Sequence, residues 1–444
     1  MPHEFTVSFH VPGAARLHLP WQGCWQVPAR RLASPVELIG AHLPVMAWET
    51  SGKWTLARVS LDENDAVWGL RLTAGKGKLE VRLQGDWQTP PTWTVRELPD
   101  YDGLLAAIRA ELPPVEPGRP VAFARAFILD IHNVRGTLVQ RFDDVARFLE
   151  QCAALGLARG SILYLPGWAG PFDGNYPDYE PAADAGGRDG LARLAAAARA
   201  HGAWVVPHVN HWALTKSRQQ DYPQFLPHIL EYPPGKKGEW PGIRLMEISH
   251  ALWYIDPSCE PWLDHMTGRM RLLESLGIEA VMMDQAAPPL GENWRRQTRQ
   301  FMREMHARFP RLILGSESVH ADILNALGFA QLWGPVWSAM PEIPVLKPSP
   351  LLADAVRPWL PIVGHLSTPA PYPAPYAWTQ YVYLAEHGPA RMFRTIWDFH
   401  RASGVLPTTR LVATRHRANE RVLRMMAAES AERGCQPSEV KPKT

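Results

Sequence analysis

The chain has 444 residues, of which 46% are hydrophobic and 20% charged, the balance of a globular protein with a large core. Its formal net charge of +2 gives no reason to expect nucleic acid or a membrane surface as a partner. The four cysteines include no C-x-x-C pair, which argues against a disulfide scaffold or a zinc knuckle. We find no signal-peptide pattern and no apolar run near about 18 residues, so a cytoplasmic protein is expected.

Short alternating segments fill the first hundred residues. Segments such as EFTVSFHV, WTLARVSL and KLEVRLQG alternate apolar and polar residues and are separated by Gly, Pro, Asp and Asn. This pattern predicts an N-terminal β-sandwich-like domain over residues 1–112, which ends in a short helix. The proline-rich stretch at 113–120 predicts a semi-rigid linker between two domains.

From residue 121 onward, apolar runs of strand length alternate with amphipathic helices, as in βα units around a parallel sheet. The strands are predicted at residues 121–132, 161–168, 203–212, 278–285, 311–318, 329–334, 360–367 and 405–411. An open doubly wound sheet shares this rhythm, but no dinucleotide-binding or P-loop glycine motif follows any strand. The predicted fold is therefore α/β, a (β/α)8 TIM barrel over residues 121–434, followed by a disordered tail at 435–444. A segment without clear periodicity, 213–256, is a candidate cover for the site.

Polar and aromatic residues recur at the C-terminal ends of the predicted strands, where the active site of such a barrel lies. The candidate substrate-binding residues are His132, Trp168, Asp173, Tyr176, His208, Asn210, His211, Gln285, Trp333 and His365. His208 and Asn210 share one face of a strand, so both can donate to sugar hydroxyls. The flat ring of Trp168 suits the apolar face of a sugar, although packing in the core is the commoner use of tryptophan.

Two carboxylates carry the predicted chemistry. Asp284 follows the apolar run AVMM, and Glu317 ends the next strand. Because neighbouring strands lie about 4.8 Å apart, two such carboxylates can approach to about 5–5.5 Å, the spacing of retaining glycoside hydrolases. We therefore predict Asp284 as the nucleophile and Glu317 as the acid/base, with no cofactor and no metal. Helix capping or ion pairing is the alternative for either carboxylate.

The two roles demand different surroundings. Asp284 has to be ionised, so we expect hydrogen-bond donors or a positive charge beside it. Glu317 has to keep its proton near neutral pH, and partial burial together with the negative field of Asp284 would raise its pKa. Once Asp284 is glycosylated, that repulsion ends and Glu317 can serve as the base for water.

Two alternatives to a retaining glycosidase stay open. The H-V-N-H cluster at 208–211 allows a metal-dependent hydrolase, in which His208 or His211 joins Asp284 at the metal, but no H-E-x-x-H motif is present. A non-catalytic carbohydrate-binding barrel is the other alternative. It predicts that the two carboxylates do not share a cleft.

The segments GWAGPFDGNYPDYEP, GGRDGLARLAAAARAHGAWVVPHVN, GIEAVMMDQ and GSES resemble, in order and spacing, the barrel of retaining α-glycosidases near the endo-α-N-acetylgalactosaminidase group. The resemblance covers residues 120–400 approximately. It implies that Asp284 is the nucleophile, that Glu317 is the proton donor, and that His208 and Asn210 contact the substrate. The chain is shorter than members of that group and has no predicted secretion signal, so specificity for N-acetylgalactosamine is not carried over. The predicted activity is hydrolysis of an α-glycosidic bond with retention. Its partner is a carbohydrate substrate, and neither the sugar nor the oligomeric state is predicted.

Overall fold

The computed structural model describes residues 3–12, 15–19, 25–28, 36–38, 45–60, 66–75, 77–87, 89–112, 123–133, 136–172, 174–230, 252–284, 286, 294–317, 321–332, 347–364, 402, 404, 406 and 408–432. The predicted linker at 113–120 and tail at 435–444 lie outside these residues. So do four of the candidate site residues, namely Asp173, Gln285, Trp333 and His365.

Antiparallel strands build the N-terminal part of the chain. They are β1 (His3–His10), β2 (Arg16–Leu19), β3 (Trp25–Pro28), β4 (Val36–Leu38), β5 (Val45–Thr50), β6 (Lys53–Ser60), β7 (Ala66–Gly75), β8 (Lys78–Asp86) and β9 (Thr92–Leu98). One sheet has the order β1-β8-β7-β4, and a second contains β3-β2-β5-β6-β9. Phe9 of the first sheet packs on Trp48 and Trp93 of the second, with ring centroids 5.9 and 5.2 Å apart. The two sheets therefore face each other as a sandwich.

The remaining strands are β10 (Arg125–Ile128), β11 (Ser161–Leu165), β12 (Trp204–Asn210), β13 (Ala213–Thr215), β14 (Leu252–Tyr254), β15 (Ala280–Asp284), β16 (Ile313–Ser316), β17 (Phe329–Leu332), β18 (Lys347–Pro348), β19 (Ile362–Gly364) and β20 (Thr408–Arg410). Eight of these pair in the order β19-β17-β16-β15-β12-β11-β10-β20, and every pairing between them is parallel. A parallel bridge from Val363 to Leu406 joins the two ends of the sheet. The predicted (β/α)8 barrel is confirmed, and each of its strands lies within its predicted segment.

Seven α-helices lie in the described residues: α1 (Tyr101–Glu111), α2 (Phe142–Ala154), α3 (Gly187–Ala200), α4 (Glu260–Ser275), α5 (Trp294–Arg308), α6 (Leu351–Val356) and α7 (His416–Glu432). α2 illustrates why they form, because its buried residues Phe142, Val145, Leu149 and Cys152 recur at the spacing of one helical face. Among the described residues, we find no helix that is both long and apolar enough to cross a membrane.

Alternation along each barrel strand divides its residues between two cores. One core contains Ala126, Ile128, Ile162, Tyr164, Val206, Ala280, Met282, Phe329 and Val363, which all lie inside the barrel. The intervening residues, for example Phe127, Leu163, Val205 and Val281, belong to the larger core beneath the helices. Because side chains alternate along a strand, the residue two positions after the last interior residue faces the barrel mouth.

Residues 347–356 attach the sandwich to the barrel. β18 pairs with β3 and so extends the second sheet of the sandwich. The next segment, α6, lies against α1, where the Tyr101 hydroxyl donates to Asp354 over 2.9 Å and Arg109 donates to the backbone carbonyl of Ala355 over 3.0 Å. His18 Nδ1 lies 3.0 Å from the Ser349 hydroxyl. The two parts of the chain are thus joined by buried and part-buried hydrogen bonds and by shared sheet structure.

Candidate active site

A layer of polar side chains continues the interior alternation at the carboxyl ends of the barrel strands. Its members are Asp130, His208, Asn210, Asp284, Glu317, Gln331 and Arg410. Each of them is at most 8% exposed. The barrel mouth is therefore lined by buried polar groups from six different strands or strand ends, which is where a barrel enzyme binds and transforms its substrate.

Asp284 and Glu317 lie side by side in this layer. β15 and β16 pair with Met283 opposite Ser316, and the Glu317 backbone N–H donates to the Met283 carbonyl over 3.1 Å. The two acidic residues are the next positions on adjacent strands, and adjacent strands are about 4.8 Å apart. Gly315 permits this packing, because a Cβ there would lie 2.1 Å from the ring of Phe329 beneath the carboxylates.

Asn210 supplies the hydrogen-bond donor that we expected beside Asp284. Its side-chain amide Nδ2 donates to Asp284 Oδ2 over 2.8 Å. The other end of the amide is fixed, since Oδ1 accepts from the backbone N–H groups of Trp212 and Ala213 over 3.1 and 2.9 Å. An acceptor bound to two N–H groups cannot exchange places with the NH2 group, so the donor end stays directed at the carboxylate. Asn210 therefore favours the ionised form of Asp284.

His208 lies next to the same carboxylate oxygen. Its Nε2 is 3.6 Å from Asp284 Oδ2 and 2.7 Å from the Tyr176 hydroxyl, and its Nδ1 is hydrogen-bonded to the Tyr164 hydroxyl. The indole N–H of Trp168 donates to the backbone carbonyl of His208 over 2.8 Å. Both ring nitrogens of His208 thus have protein partners inside the mouth.

The loop after β11 forms a pocket beside His208. The pocket has an empty volume of about 240 Å³, which includes the solvent space at its open side. Its lining consists of Gly167, Trp168, Ala169, Gly170, Pro171, Phe172, Asn175, Tyr176, Asp178, Tyr179 and His208. Trp168 is 1% exposed and stacks on Tyr179 with 6.2 Å between ring centroids, so this ring covers one face of the indole. The predicted sugar-stacking role of Trp168 stays a prediction, and any sugar ring would have to use its other face or edge.

His211 lies behind the mouth, although it was predicted within it. It is fully buried, its Nδ1–H donates to the backbone carbonyl of Asp284 over 3.0 Å, and its Nε2 is 3.1 Å from the Thr298 hydroxyl. Burial lowers its pKa to about 4. The neutral ring of His211 thus contacts protein groups at both nitrogens, and these contacts connect the end of β15 to α5.

His132 is held in the wall at the end of the first barrel strand. It is 3% exposed, with Nδ1 2.9 Å from the Gly167 carbonyl and Nε2 3.1 Å from the Asp184 carboxylate. The hydrogen bond from His132 lowers the pKa of Asp184. Gly167 comes so close that a Cβ there would lie 2.2 Å from the His132 backbone oxygen. His132 thus joins the first strand end to the loop that carries the aromatic pocket.

Asp130, Gln331 and Arg410 of this layer, and Tyr164 beneath it, were not among the predicted site residues. Arg410 of β20 forms a buried two-pronged ion pair with Asp130, which follows β10. This ion pair neutralises the charge of Asp130. The other acidic members of the layer are Asp284 and Glu317. Alternation along β17 and β20 places Gln331 and Arg410 on the interior face, and this signal could have found both. Within the described ranges, no group of three His, Cys, Asp or Glu side chains has an arrangement that could hold a metal ion.

Comparison with known proteins adds evidence on the fold. No family model and no curated protein matches the sequence. The solved structure of α-N-acetylgalactosaminidase NagBb from Bifidobacterium bifidum, in complex with GalNAc, aligns with a TM-score of 0.62 at 15% identity, over 83% of this chain and 71% of that chain. TtGalA, an α-galactosidase from Thermus thermophilus in complex with stachyose, aligns with a TM-score of 0.58 at 15% identity, over 96% of this chain and 92% of that chain.

A third solved structure is the GH36 α-galactosidase AgaA from Geobacillus stearothermophilus. It aligns with a TM-score of 0.53 at 13% identity and covers 96% of this chain and 62% of that chain. The shared feature is the fold. At such low identity, what these enzymes act on is a property of those proteins, and the chemistry of this chain has to be argued from its own mouth residues.

Proposed function

We propose that the protein is a retaining α-glycoside hydrolase in which Asp284 is the nucleophile and Glu317 the acid/base. The observation that carries the proposal is the pair of buried carboxylates at adjacent strand ends, in matching register at the barrel mouth. The fold shared with two α-galactosidases and an α-N-acetylgalactosaminidase supports a sugar as substrate and an α-linkage as the bond cleaved.

The division of roles follows from the charges around the two carboxylates. Two like charges about 5 Å apart in a buried site do not ionise together readily, so one carboxyl keeps a proton. Asn210 donates to Asp284, and this bond favours the ionised state at that position. The proton therefore belongs on Glu317. This assignment makes Asp284 the group able to attack and Glu317 the group able to protonate.

The reaction takes two steps. Asp284 attacks C1 of the bound sugar while Glu317 gives its proton to the departing glycosidic oxygen, and a covalent glycosyl-Asp284 ester forms. The ester carries no carboxylate charge, so Glu317, now ionised, can take a proton from water as the water attacks C1. The Asp284 carboxylate leaves, the sugar is released with its original anomeric configuration, and both carboxyls return to their starting states. Asn210 holds Oδ2 and so keeps the carboxylate in one orientation in both steps.

The test begins with a panel of aryl α-glycosides, followed by NMR detection of the first anomer released. We expect the α-anomer to appear first. Asp284→Asn and Glu317→Gln should each abolish turnover of the substrates that the unaltered protein cleaves. Glu304→Gln, on the surface of α5, serves as the matched control and should leave turnover unchanged.

Azide separates the two roles. With Asp284→Gly, azide should replace the missing nucleophile and give the β-glycosyl azide, whereas with Glu317→Ala it should attack the covalent intermediate and give the α-glycosyl azide. Wild-type rates in both carboxylate variants on every cleaved substrate would refute the assignment. Sugars that bind without any turnover would point to a binding barrel.

A further inference from the structure

His208 is enclosed by groups that constrain where its proton lies. Its Nδ1 meets the Tyr164 hydroxyl, and its Nε2 meets the Tyr176 hydroxyl at 2.7 Å and Asp284 Oδ2 at 3.6 Å. Phe172 packs edge-on against the ring with centroids 4.9 Å apart. The ring is 4% exposed, so these contacts, rather than bulk water, decide its state.

A neutral imidazole has one N–H group and one lone pair, and the tautomer decides which nitrogen carries which. If Nδ1 held the hydrogen, the Nε2 lone pair would face the ionised Asp284 and repel it. If Nε2 holds the hydrogen, the N–H donates to the Tyr176 hydroxyl at 2.7 Å, and its positive end also faces Asp284 Oδ2, 3.6 Å away. The second arrangement requires a donor to the lone pair of Nδ1, and that donor is the Tyr164 hydroxyl.

Tyr164 occupies an unusual place for a polar group. It belongs to β11 and lies inside the barrel in the same core as Ile128, Val206 and Met282. It is 3% exposed, yet its hydroxyl reaches the layer of mouth residues through the bond to His208. In the Nε2–H tautomer of His208, this hydroxyl is the donor of the bond to Nδ1.

We infer that Tyr164 is a positioning residue that holds His208 as the Nε2–H tautomer, so that a neutral N–H, hydrogen-bonded to Tyr176, presents its positive end to Asp284 Oδ2 beside the Asn210 amide. The functional part of this inference rests on the proposed role of Asp284 as nucleophile. In the free enzyme, the Asn210 hydrogen bond and the nearby N–H dipole then stabilise the ionised carboxylate without adding a positive charge. In the second step, they stabilise the carboxylate as it leaves the sugar.

The tautomer is measured directly by NMR on protein whose histidines are labelled with 15N, with the His208 signals assigned by comparison with His208→Gln. We expect long-range couplings that show a protonated Nε2 and an unprotonated Nδ1 at pH 7. In Tyr164→Phe, signals of the other tautomer or an average of the two should appear. Tyr254→Phe is the matched control, because Tyr254 is 2% exposed and stacks on Trp212 away from His208.

Three results would overturn the inference: a wild-type His208 with the hydrogen on Nδ1, a doubly protonated His208 at pH 7, or a tautomer unchanged in Tyr164→Phe. This readout needs no turnover. It therefore tests the tautomer even if the glycosidase proposal fails, and the aryl glycoside panel tests that proposal separately.

The kinetic consequence is specific as well. In Tyr164→Phe, the acid limb of kcat/KM should move to higher pH, because the His208 N–H no longer always faces the ionised Asp284 carboxylate. We expect kcat to fall by about tenfold at neutral pH, with KM within about twofold, since the hydroxyl serves the nucleophile more than it serves ground-state binding. Tyr254→Phe should keep the wild-type pH profile. A Tyr164→Phe profile identical to that of wild type, or a change in KM alone, would contradict the role.

Discussion

The barrel mouth and the interface between sandwich and barrel both bury polar side chains, but they connect them differently. At the interface, each bond links one group of the sandwich to one group of the barrel, as from Tyr101 to Asp354 and from His18 to Ser349. Such bonds satisfy their own donors and acceptors and fix two elements together. At Asp354, to which Tyr101 and Arg357 both donate, each bond goes to a different oxygen.

In the mouth, two polar side chains face one carboxylate oxygen. Asn210 and His208 both approach Oδ2 of Asp284, and Glu317 lies on the next strand. Polar groups arranged around a buried carboxylate are typical of a preorganised active site, where the groups around the reacting atom are in place before the substrate arrives. The number of polar groups around one atom therefore distinguishes the candidate site from structural polar contacts better than burial alone does.

The largest effect on stability is expected at the Asp130–Arg410 pair, which lies in the mouth layer but behaves like a structural contact. Asp130→Asn leaves the Arg410 guanidinium buried without a matching charge, and we expect the free energy of unfolding to fall by about 3–5 kcal/mol. Unfolding in guanidinium chloride at pH 7 measures this free energy. Glu420→Gln is the control, because Glu420 and Arg424 form an ion pair with 56% and 67% exposed side chains, which should contribute little. A loss no greater than in the control would mean that the pair does not hold the first and last strands together.

The next effect is on activity rather than stability. Asn210→Asp keeps an oxygen for the N–H groups of Trp212 and Ala213 but replaces the donor to Asp284 by a second carboxylate. We expect kcat to fall on the order of 10²–10³-fold, the usual effect of losing a donor to reacting charge. Steady-state kinetics and a thermal melt on the same sample measure both quantities.

Asn133→Asp is the matched control for this substitution. The oxygen of Asn133 also accepts a backbone N–H, from Thr137 over 3.0 Å, at the end of the first barrel strand. The kcat of Asn133→Asp should stay within about twofold of wild type. Equal losses of kcat in Asn210→Asp and Asn133→Asp would show that the polar contacts of the mouth act no differently from ordinary polar contacts.

The smallest effect is a pH dependence of stability at the interface. Burial first, and Arg16 second, lower the pKa of His18 from 6.5 to about 4. Below pH 6.5 the unfolded chain binds a proton that the folded chain does not, so the free energy of unfolding should fall as the pH drops from 6.5 to about 4, by roughly 3 kcal/mol. This contribution is fully present above pH 6.5.

His211 has a pKa lowered to about 4 as well and contributes to the same pH window. Denaturant unfolding at several pH values between 7 and 4, in wild type and in His18→Gln, separates the two histidines. The variant should lose less stability over this range than wild type, and the remainder belongs to His211 and other groups. Identical slopes in the two proteins would show that His18 does not titrate with unfolding.

The barrel and the two acidic residues were predictable because they depend on local patterns. An apolar run followed by a polar residue marks strands such as β10 and β15 and their mouth ends. Asp284 and Glu317 lie at neighbouring positions because consecutive βα units place their strands side by side, which follows from chain order. The inward direction of His208 and Asn210 also follows from local alternation.

Contacts between distant parts of the chain were not predictable in this way. The Asp130–Arg410 pair joins residues 280 positions apart, and no local pattern selects its partners. Tyr164 is hidden in the strand SILYL, where a tyrosine resembles any other bulky core residue. The pairing of β18 with β3 depends on how the two parts of the chain pack, so neither segment predicts it alone.

The pairing of β18 with β3 has a consequence for synthesis on the ribosome. When the first nine strands have emerged, β3 has β2 on one side and an uncovered edge on the other. Residues 347–348 become available only after six of the eight barrel strands have been made. An uncovered edge invites pairing with another chain, so the nascent protein carries an aggregation-prone edge through most of its translation. The time needed to reach Pro348, more than the folding rate of the sandwich itself, sets how long that exposure lasts.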